Sequence, residues 1–285
     1  MSRRPFADRA FIGLQHLLPQ HALSRLVGAL AGSRIGLLRN FLIRGFLRHY
    51  PVDLSEAARS DPADYASFND FFTRRLRAGA RPQDPDPRAV LCPVDGLVSQ
   101  AGRIDDQVLV QAKGIRYSAA ALLGGDAAEF DDGAFATLYL APHNYHRIHM
   151  PFAGTLRYAR FIPGELFSVN AATAAGVPAL FTRNERIACL FDTAAGPMAV
   201  VLVGALFVGS MSLAWTGSVR PPSRRAVTEL PASDPFIALD RGAELGWFNM
   251  GSTVVVLFAR SGPALVDGLA PDRAVRVGER LATLR

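Results

Sequence analysis

The sequence predicts an α+β protein in which N-terminal helices precede a β-rich body that carries a few short helices. Two observations lead to this prediction. Through about residue 80 apolar residues recur at helical spacing, and from Ala89 onward short apolar runs are separated by turn residues. Helices followed by strands, rather than a regular alternation of the two, are typical of α+β folds. We therefore predict a helical region, residues 1–80, and a β-rich domain, residues 81–285.

The positive charge of the chain is concentrated at its N-terminus. The whole chain has a formal net charge of +6 and a pI near 9.9. Residues 1–50 contain eight arginines against one acid, Asp8, which makes +7, so the remaining residues sum to −1. A basic segment on a nearly neutral body indicates an anionic partner surface, either a membrane or a nucleic acid.

Residues 5–50 alternate apolar clusters with single arginines, as an amphipathic helix does. A membrane-spanning helix needs about 20 mainly apolar residues, and the longest uncharged run here contains Pro19, two histidines and two glutamines. We expect this segment to lie on a membrane surface with its arginines at the headgroups. The alternative is a helical hairpin packed on its own domain. The first apolar stretch lacks a small-residue cleavage site, so we expect a cytoplasmic setting.

A capping box predicts a short helix after residue 66, because Ser67 is followed three residues later by Asp70. One face of this helix would carry Phe68, Phe71, Phe72 and Leu76. Residues 77–93, rich in Arg, Pro and Asp, are predicted to form a linker. The strand-like runs beyond it are 89–94, 108–112, 135–141, 155–161, 187–191, 198–208 and 253–259.

Thr193 to Val219 contains no charged residue and would pass a simple hydropathy test for a membrane span. Glycines and a proline interrupt it, and Val, Ser and Thr fill it, so two or three buried strands explain it better. Residues 218–235, with four prolines, are predicted to form an exposed loop.

The stretch from Asn249 to Phe258 begins as a Gly251-Ser252-Thr253 turn and continues as an apolar, β-branched run. Ser252 therefore stands where a buried strand begins, directly after a residue without a side chain. An isolated turn of this kind is common. Its significance depends on what the rest of the chain supplies.

Three of the six histidines, His143, His146 and His149, fall within seven residues between two prolines. A metal site is one interpretation, but no carboxylate or cysteine lies nearby in the sequence to complete it. Buried core histidines are another. His146 and His149 either share one face of a helical turn or flank a site from a bent strand.

Asp95 lies in an Asp-Gly pair, which is frequent in hairpin turns. Together Asp95, a histidine and Ser252 would supply an acid, a base and a nucleophile. A lipase-type hydrolase is not indicated, because no serine has glycine both two residues before and two residues after it. Glycine-rich nucleotide-binding patterns are absent as well.

Seven stretches, in order along most of the chain, carry a resemblance to a known family: Phe68-Asn69-Asp70-Phe71-Phe72 with Arg74 and Leu76; Pro93-Val94-Asp95-Gly96; Gln111-Ala112-Lys113-Gly114; Tyr145-His146-Arg147-Ile148-His149-Met150-Pro151; Pro163-Gly164-Glu165-Leu166-Phe167-Ser168-Val169-Asn170; Arg183-Asn184-Glu185-Arg186; and Gly251-Ser252-Thr253. The sequence resembles bacterial phosphatidylserine decarboxylase, a self-cleaving, pyruvoyl-dependent enzyme that makes phosphatidylethanolamine. Val94 is a departure, since relatives often carry alanine there.

The resemblance implies that the chain cuts itself between Gly251 and Ser252. Asp95 would orient His149, which would take the proton from Ser252 Oγ for attack on the carbonyl of Gly251. An ester would form, and elimination would then break the chain. The expected products are a β chain, 1–251, and an α chain, 252–285, held together as a heterodimer that could dimerise further. The new N-terminus would be a pyruvoyl group derived from Ser252.

The resemblance also implies the chemistry that follows cleavage. The pyruvoyl carbonyl would form a Schiff base with the serine amine of phosphatidylserine and act as the electron sink, and His146 would reprotonate the α-carbon. Ser168 and Asn170 are candidates for the lipid phosphate. No metal and no pyridoxal phosphate are expected. A pyridoxal enzyme would need its own lysine, and Lys113 is the only one in the chain.

The expected partners are phosphatidylserine and an anionic membrane, with no nucleic acid. The expected location is peripheral, at the cytoplasmic face of the cell membrane. Two other classes of protein stay open at this point. One is a membrane-associated serine hydrolase that uses the same three residues, and the other is a non-catalytic, β-rich lipid-binding module. Only the decarboxylase would cut its own chain.

Overall fold

The protein is described by a computed structural model over residues 5–207, 210–219, 226–231, 236–250 and 253–285. The helices in these ranges are α1 (Pro5–Leu17), α2 (Gln20–Ala31), α3 (Gly36–His49), α4 (Phe68–Phe72), α5 (Ala119–Leu123), α6 (Ala171–Ala174) and α7 (Leu180–Arg183). The strands are β1 (Ala89–Leu91), β2 (Gly96–Arg103), β3 (Val108–Val110), β4 (Arg116–Ser118), β5 (Ala134–Tyr139), β6 (Arg147–His149), β7 (Gly154–Ile162), β8 (Arg186–Thr193), β9 (Gly196–Val203), β10 (Met211–Leu213), β11 (Gly217–Val219), β12 (Thr228–Glu229), β13 (Ala238–Leu239), β14 (Glu244–Phe248), β15 (Thr253–Phe258), β16 (Ala264–Leu265), β17 (Ala274–Val275) and β18 (Arg280–Thr283).

The α+β class is confirmed, with the three long helices at the N-terminus and antiparallel sheets after residue 88. Every predicted strand-like run contains a strand, and the described residues of the charge-free stretch 193–219 form strands β9, β10 and β11 and no helix. The predicted loop 218–235 lies partly outside the described residues. One prediction about α4 was wrong: the helix ends at Phe72, and Leu76 lies beyond it in extended backbone that pairs with Ala57.

A nine-stranded sheet forms the centre of the body, in the order β12-β7-β8-β9-β15-β5-β2-β17, with β13 also paired to β7. Strand β15 is paired on both edges, and Thr253 lies opposite Tyr139 of β5 and Val203 of β9. Alternate side chains of a strand point to opposite faces of the sheet. Val254 and Val256 pack in one core cluster and Val255 in the other. Both faces of β15 are therefore buried, which explains its uninterrupted apolar sequence.

A four-stranded sheet, in the order β11-β10-β14-β6, places the histidine-bearing strand β6 beside β14. The backbone N–H of Phe248, at the end of β14, donates to the carbonyl of His146 over 3.1 Å. The chain leaves this strand only a few residues before Thr253 opens β15. This sheet therefore brings the histidines to the segment that leads into β15.

The N-terminal helices pack on the body through polar side chains. The side-chain oxygens of Gln15 and Gln20 accept from the backbone N–H groups of Ser168 and Leu166, both over 2.7 Å. The Ser24 hydroxyl accepts from the N–H of Phe207 over 3.1 Å. These three buried residues satisfy backbone donors of two loops, so one side of helices α1 and α2 is fixed to the β-rich body.

The other side of helices α1 to α3 exposes large apolar residues to solvent, including Leu17, Leu26, Ile35, Leu37 and Phe41. Leu37 is 86% exposed and Phe41 73%. Among the described residues no single helix has the length and apolar character to cross a membrane. Helices α2 and α3, which meet at a 109° bend, reach that length and apolar composition only when they are counted together.

Candidate active site

His149 is the last residue of β6, and hydrogen bonds at both ring nitrogens hold its imidazole. Nδ1 lies 2.8 Å from the carbonyl oxygen of Gly242, so Nδ1 carries the proton and donates it. Nε2 is then the acceptor, and the hydroxyl of Tyr145 donates to it over 3.1 Å. Burial lowers the pKa of His149, which keeps the ring neutral. A neutral ring with a fixed tautomer and a basic Nε2 is equipped to remove a proton.

His146 has the same tautomer but no partner for its second nitrogen. Its Nδ1 donates to the carbonyl of Asn144 over 2.8 Å, and the ring lies 4.1 Å, centroid to centroid, from that of Phe72. Nε2 is buried and has no hydrogen-bond partner among the described residues. Burial and the nearby Arg74 lower the pKa of His146 to about 3. His146 is therefore neutral, and its Nε2 can accept a proton before it can donate one.

Asp95 lies between β1 and β2. Its carboxylate was expected to contact His149 but binds other residues. It accepts from Nε and Nη2 of Arg81, at 3.0 and 2.6 Å, and from the N–H of Val277 at 2.9 Å. The expected hydrogen bond from the His149 ring to the Asp95 carboxylate is not formed in this structure, because Nδ1 donates to the Gly242 carbonyl instead. Asp95 still acts on His149 at longer range, where its charge favours the protonated ring.

A cleft of about 170 Å³ borders His149, with Arg81, Tyr145 and Gly242 also in its walls. Glu56 also pairs with Arg81 over 2.7 Å, so the guanidinium is held by two carboxylates. This arrangement fixes the cleft wall beside His149.

Gly251 and Ser252, the predicted cleavage site, lie outside the described residues. The residues on either side are described. Thr253 is buried at the start of β15, and Asn249 donates from Nδ2 to Ser210 Oγ and Ser212 Oγ over 2.8 and 3.0 Å. Met250 has φ of 118°, a region that side chains other than glycine rarely occupy. Such a conformation costs on the order of 1–3 kcal/mol and persists only where the surroundings impose it.

The described residues contain no group of three or more His, Cys, Asp or Glu side chains with the arrangement of a metal site. His143 is the first histidine of the run, and its ring centroid lies 6.5 Å from that of Tyr50. The histidines therefore do not converge on one point, since His146 stacks on α4 and His149 faces Tyr145.

Comparison with known proteins decides the family. The family model for phosphatidylserine decarboxylase matches residues 68–283, and a second model, PSD, matches residues 10–51. The chain is 52% identical to the phosphatidylserine decarboxylase proenzyme of Azotobacter vinelandii, over 96% of this chain and 98% of that protein. The proenzymes of Bordetella pertussis and Pseudomonas aeruginosa are 52% and 53% identical, over 98% and 97% of this chain and 95% and 98% of their own lengths.

The chain belongs to the phosphatidylserine decarboxylase family. The expected resemblance is therefore confirmed.

The two residues predicted to bind the phosphate of a phosphatidylserine substrate both have local roles in the structure. Asn170 caps helix α6, with its Oδ1 accepting from the N–H and the hydroxyl of Thr173 over 3.0 and 3.1 Å. Ser168 is held through its backbone N–H by Gln15. The Nδ2 group of Asn170 and the hydroxyl hydrogen of Ser168 are the donors they would offer, so their role as phosphate ligands stays a prediction.

Three buried charged residues, Arg74, Glu185 and Arg186, were not assigned a role from the sequence, although all lie in stretches that carry the family resemblance. Arg74 follows α4 and is 4% exposed. Glu185 precedes β8, where burial raises its pKa to about 7. Its carbonyl accepts from the N–H of Gly204 at the end of the sheet where Thr253 begins β15. Only burial distinguishes these residues from surface charges, and no local pattern reveals it.

Proposed function

We propose that this chain converts phosphatidylserine to phosphatidylethanolamine with a pyruvoyl group that it makes from its own Ser252. The chain is 52–53% identical, over nearly its full length, to three proteins named phosphatidylserine decarboxylase proenzyme, which supports the activity. The word proenzyme supports processing of the chain. The observation in the structure that carries the proposal is the pair of neutral histidines, His146 and His149. Each has an unprotonated Nε2; His149 ends strand β6 and His146 directly precedes it, where its carbonyl accepts from Phe248 just before the segment that leads to Ser252.

In the proposed processing step His149 is the base. Its Nδ1 is committed to Gly242, so Nε2 is free to take the proton of Ser252 Oγ once the Tyr145 hydroxyl yields its place. The strained backbone of Met250, one residue before Gly251, favours attack on the carbonyl of Gly251 because cleavage releases the strain. Asp95 acts through Arg81, which lines the same cleft as His149.

The pyruvoyl group would supply a carbonyl that forms a Schiff base with the substrate amine and receives the electrons released with CO₂. The buried Nε2 of His146 fits a site next to this group, because it can accept a proton from the substrate ammonium. His146 would then return that proton to the α-carbon. Burial next to Arg74 lowers the pKa of His146, so its protonated ring is a strong acid, which favours the transfer of that proton to the α-carbon.

We propose that the enzyme works as a peripheral protein at an anionic membrane surface, where its lipid substrate lies. Exposed apolar side chains on α1 to α3 support this proposal. The described arginines of residues 5–50 support the same proposal, because none of them forms an ion pair with another described residue. Their charges are available for lipid headgroups.

Mass spectrometry of the purified protein tests the proposed processing. We expect two chains divided between Gly251 and Ser252, with the smaller chain lighter than a serine-started chain by one ammonia. Ser252→Ala should remain whole because no Oγ is left to attack, whereas Ser261→Ala, at an exposed serine in a neighbouring turn, should split normally. An intact chain that releases CO₂ from phosphatidylserine would contradict the proposal. So would an intact chain with hydrolase activity or with lipid binding alone.

A further inference from the structure

Arg74 is a buried cation that forms no ion pair with any residue the structure describes. Its Nη2 donates to the carbonyl of His143 over 3.0 Å, while Nε and Nη1 have no hydrogen-bond partner within the described part of the chain. The guanidinium also lies 5.6 Å from the ring centroid of Phe71. A buried charge is costly unless it is paired. Burial lowers the pKa of Arg74, in keeping with an incomplete set of partners.

The acids near Arg74 are already paired with other residues. Asp95 accepts from Arg81 and Val277, as described above, and Asp70 forms a two-bond pair with Arg59 at 2.7 and 2.9 Å. Nε and Nη1 of Arg74 can therefore bind an acceptor that the described residues of the uncut chain do not provide. A carboxylate suits them best, because its two oxygens match the donor geometry of a guanidinium.

The segment that leads to the cleavage site is tied to the surroundings of Arg74. The side chain of Asn69, in α4, donates to Asn249 Oδ1 over 3.2 Å, and Met250 packs against the aromatic cluster of α4. Nη2 of Arg74 and Nδ1 of His146 share the carbonyl of Asn144, at 3.5 and 2.8 Å. The residue that would carry the new carboxylate follows Met250 directly in the chain, so it belongs to the segment that these contacts tie to α4, the helix that Arg74 follows.

We propose that Arg74 is the binding site for the carboxylate that self-cleavage creates on Gly251. The inference rests on the proposed function, since it assigns a task within that cleavage. The serine carboxylate of the substrate is the other source of the same chemical group. The internal source is favoured because the donors of Arg74 are buried and the described residues just before Gly251 are tied to α4.

The two steps of cleavage show where this charge develops. Ser252 Oγ first bonds to the carbonyl carbon of Gly251 while the C–N bond breaks, and the serine proton passes through the base to the released amine. A base next removes the α-proton of residue 252, and the Cβ–Oγ bond breaks. Its electron pair leaves with Oγ, which becomes the second oxygen of the Gly251 carboxylate. Arg74 would stabilise this leaving group in the transition state and hold it afterwards.

Arg74→Gln should process about 10- to 100-fold more slowly than the wild type, the range expected when hydrogen bonds to a charged group are lost. The stall should come at the ester. Hydroxylamine should then split the accumulated precursor and yield a small chain that starts with an intact serine. Arg59→Gln is the matched control, because Arg59 also lies over a ring of the aromatic cluster, Tyr65, yet already has a partner in Asp70. We expect it to process at the wild-type rate.

Arg74→Lys keeps the charge and tests the inference if Arg74→Gln fails to fold. In the processed Arg74→Lys variant, lysine cannot form the proposed two-bond contact with the Gly251 carboxylate. Carboxypeptidase should therefore trim the larger chain faster than it does in the folded wild type. Wild-type rates and equal protection in both variants would overturn the inference. It would also be overturned if an unprocessed Arg74→Gln precursor resisted hydroxylamine, or if variants processed normally but lost decarboxylation, since the carboxylate would then be the substrate's. Failure of the wild type to cleave would instead refute the proposed function.

Discussion

His146 and His149 stand three residues apart, yet their surroundings suit them to different proton transfers. His149 borders a cleft and has a hydroxyl on its Nε2, whereas the Nε2 of His146 is buried without a partner among the described residues. At His149 the Tyr145 hydroxyl can be exchanged for another group from the cleft. The Nε2 of His146 is available to the substrate, which binds after cleavage. This difference suits His149 to the processing of the chain and His146 to the turnover of substrate.

We predict that His149→Ala blocks self-cleavage, because Ser252 loses its base, while His146→Ala still cleaves but loses most decarboxylation. Loss of one positioned acid or base typically costs about 10²- to 10⁴-fold. A gel for chain splitting and CO₂ release from phosphatidylserine measure the two effects on the same preparation.

His143→Ala is the control for both histidine variants, because its side chain packs near Tyr50 and has no role in either step. It should process and turn over within a few-fold of the wild type. An uncleaved His146→Ala beside a normally processed His149→Ala would reverse the assignment. Normal behaviour of both variants would remove both histidines from the mechanism.

At the scale of elements, the five-residue helix α4 connects the N-terminal helices to the processing segment. The hydroxyl of Ser67 caps it by accepting from the N–H of Asp70 over 3.1 Å. Its side chains form the aromatic cluster with Phe46 of α3, receive Met250, and hold Asn249 through Asn69. A short helix has little stability of its own, so its position depends on the cap and on packing.

We predict that Ser67→Ala lowers the free energy of unfolding by about 1 kcal/mol and also slows self-cleavage. Stability is measured by urea unfolding in the uncleaved Ser252→Ala background, and cleavage by a time course of newly made protein. Ser118→Ala is the matched control, because Ser118 caps the five-residue helix α5 in the same way, over 3.2 Å to the N–H of Ala121.

The control variant should lose a similar amount of stability without a change in cleavage rate, because α5 packs in the core cluster on the opposite face of the sheet from the histidine strand. Equal slowing of cleavage by both variants would mean that α4 acts on processing only through global stability.

The whole molecule has two surfaces of different character. The β-rich body carries surface ion pairs, such as those of Asp132 with Arg103 and Arg260, while α1 to α3 combine exposed apolar side chains with arginines that have no ion pair among the described residues. The polar contacts of Gln15, Gln20 and Ser24 fix these helices on one side. They therefore present their apolar side outward on a rigid support.

We predict that Arg34→Gln with Arg48→Gln weakens binding to phosphatidylglycerol-containing vesicles about 30-fold, since each arginine near an anionic surface contributes about 1 kcal/mol. Vesicle co-sedimentation at low salt measures the effect. Arg116→Gln with Arg260→Gln removes the same charge from exposed positions on the body and should leave binding nearly unchanged. Equal losses for the two pairs would show that net charge, rather than the helical surface, drives binding.

Much of the fold followed from local pattern. Apolar periodicity located the N-terminal helices and a strand within every predicted run, and the Ser67 cap located the start of α4. The family motifs singled out Asp95, His146, His149 and Ser252. These features depend on neighbouring residues in the chain, and short-range physics such as capping and alternation determines them.

The tertiary structure decided which of these residues are partners. Asp95 was expected to orient His149, but the packed fold puts Arg81 and Val277 at Asp95 and the Gly242 carbonyl at His149. Hydrogen bonds between residues far apart in the chain leave no local pattern in the sequence, because their geometry depends on how the elements pack.

The charge states of the site were decided in the same way. Arg74, His146 and Glu185 are ordinary titratable residues in the sequence. Burial makes Arg74 a cation without an ion pair among the described residues and His146 a neutral base, and it raises the pKa of Glu185 to about 7. The sequence by itself determined the family, the fold class, a strand within each predicted run and the reactive residue types, whereas strands such as β14 and β18 lie outside those runs. The tertiary structure alone decided their partners and protonation, because desolvation is a property of the packed interior and not of the chain.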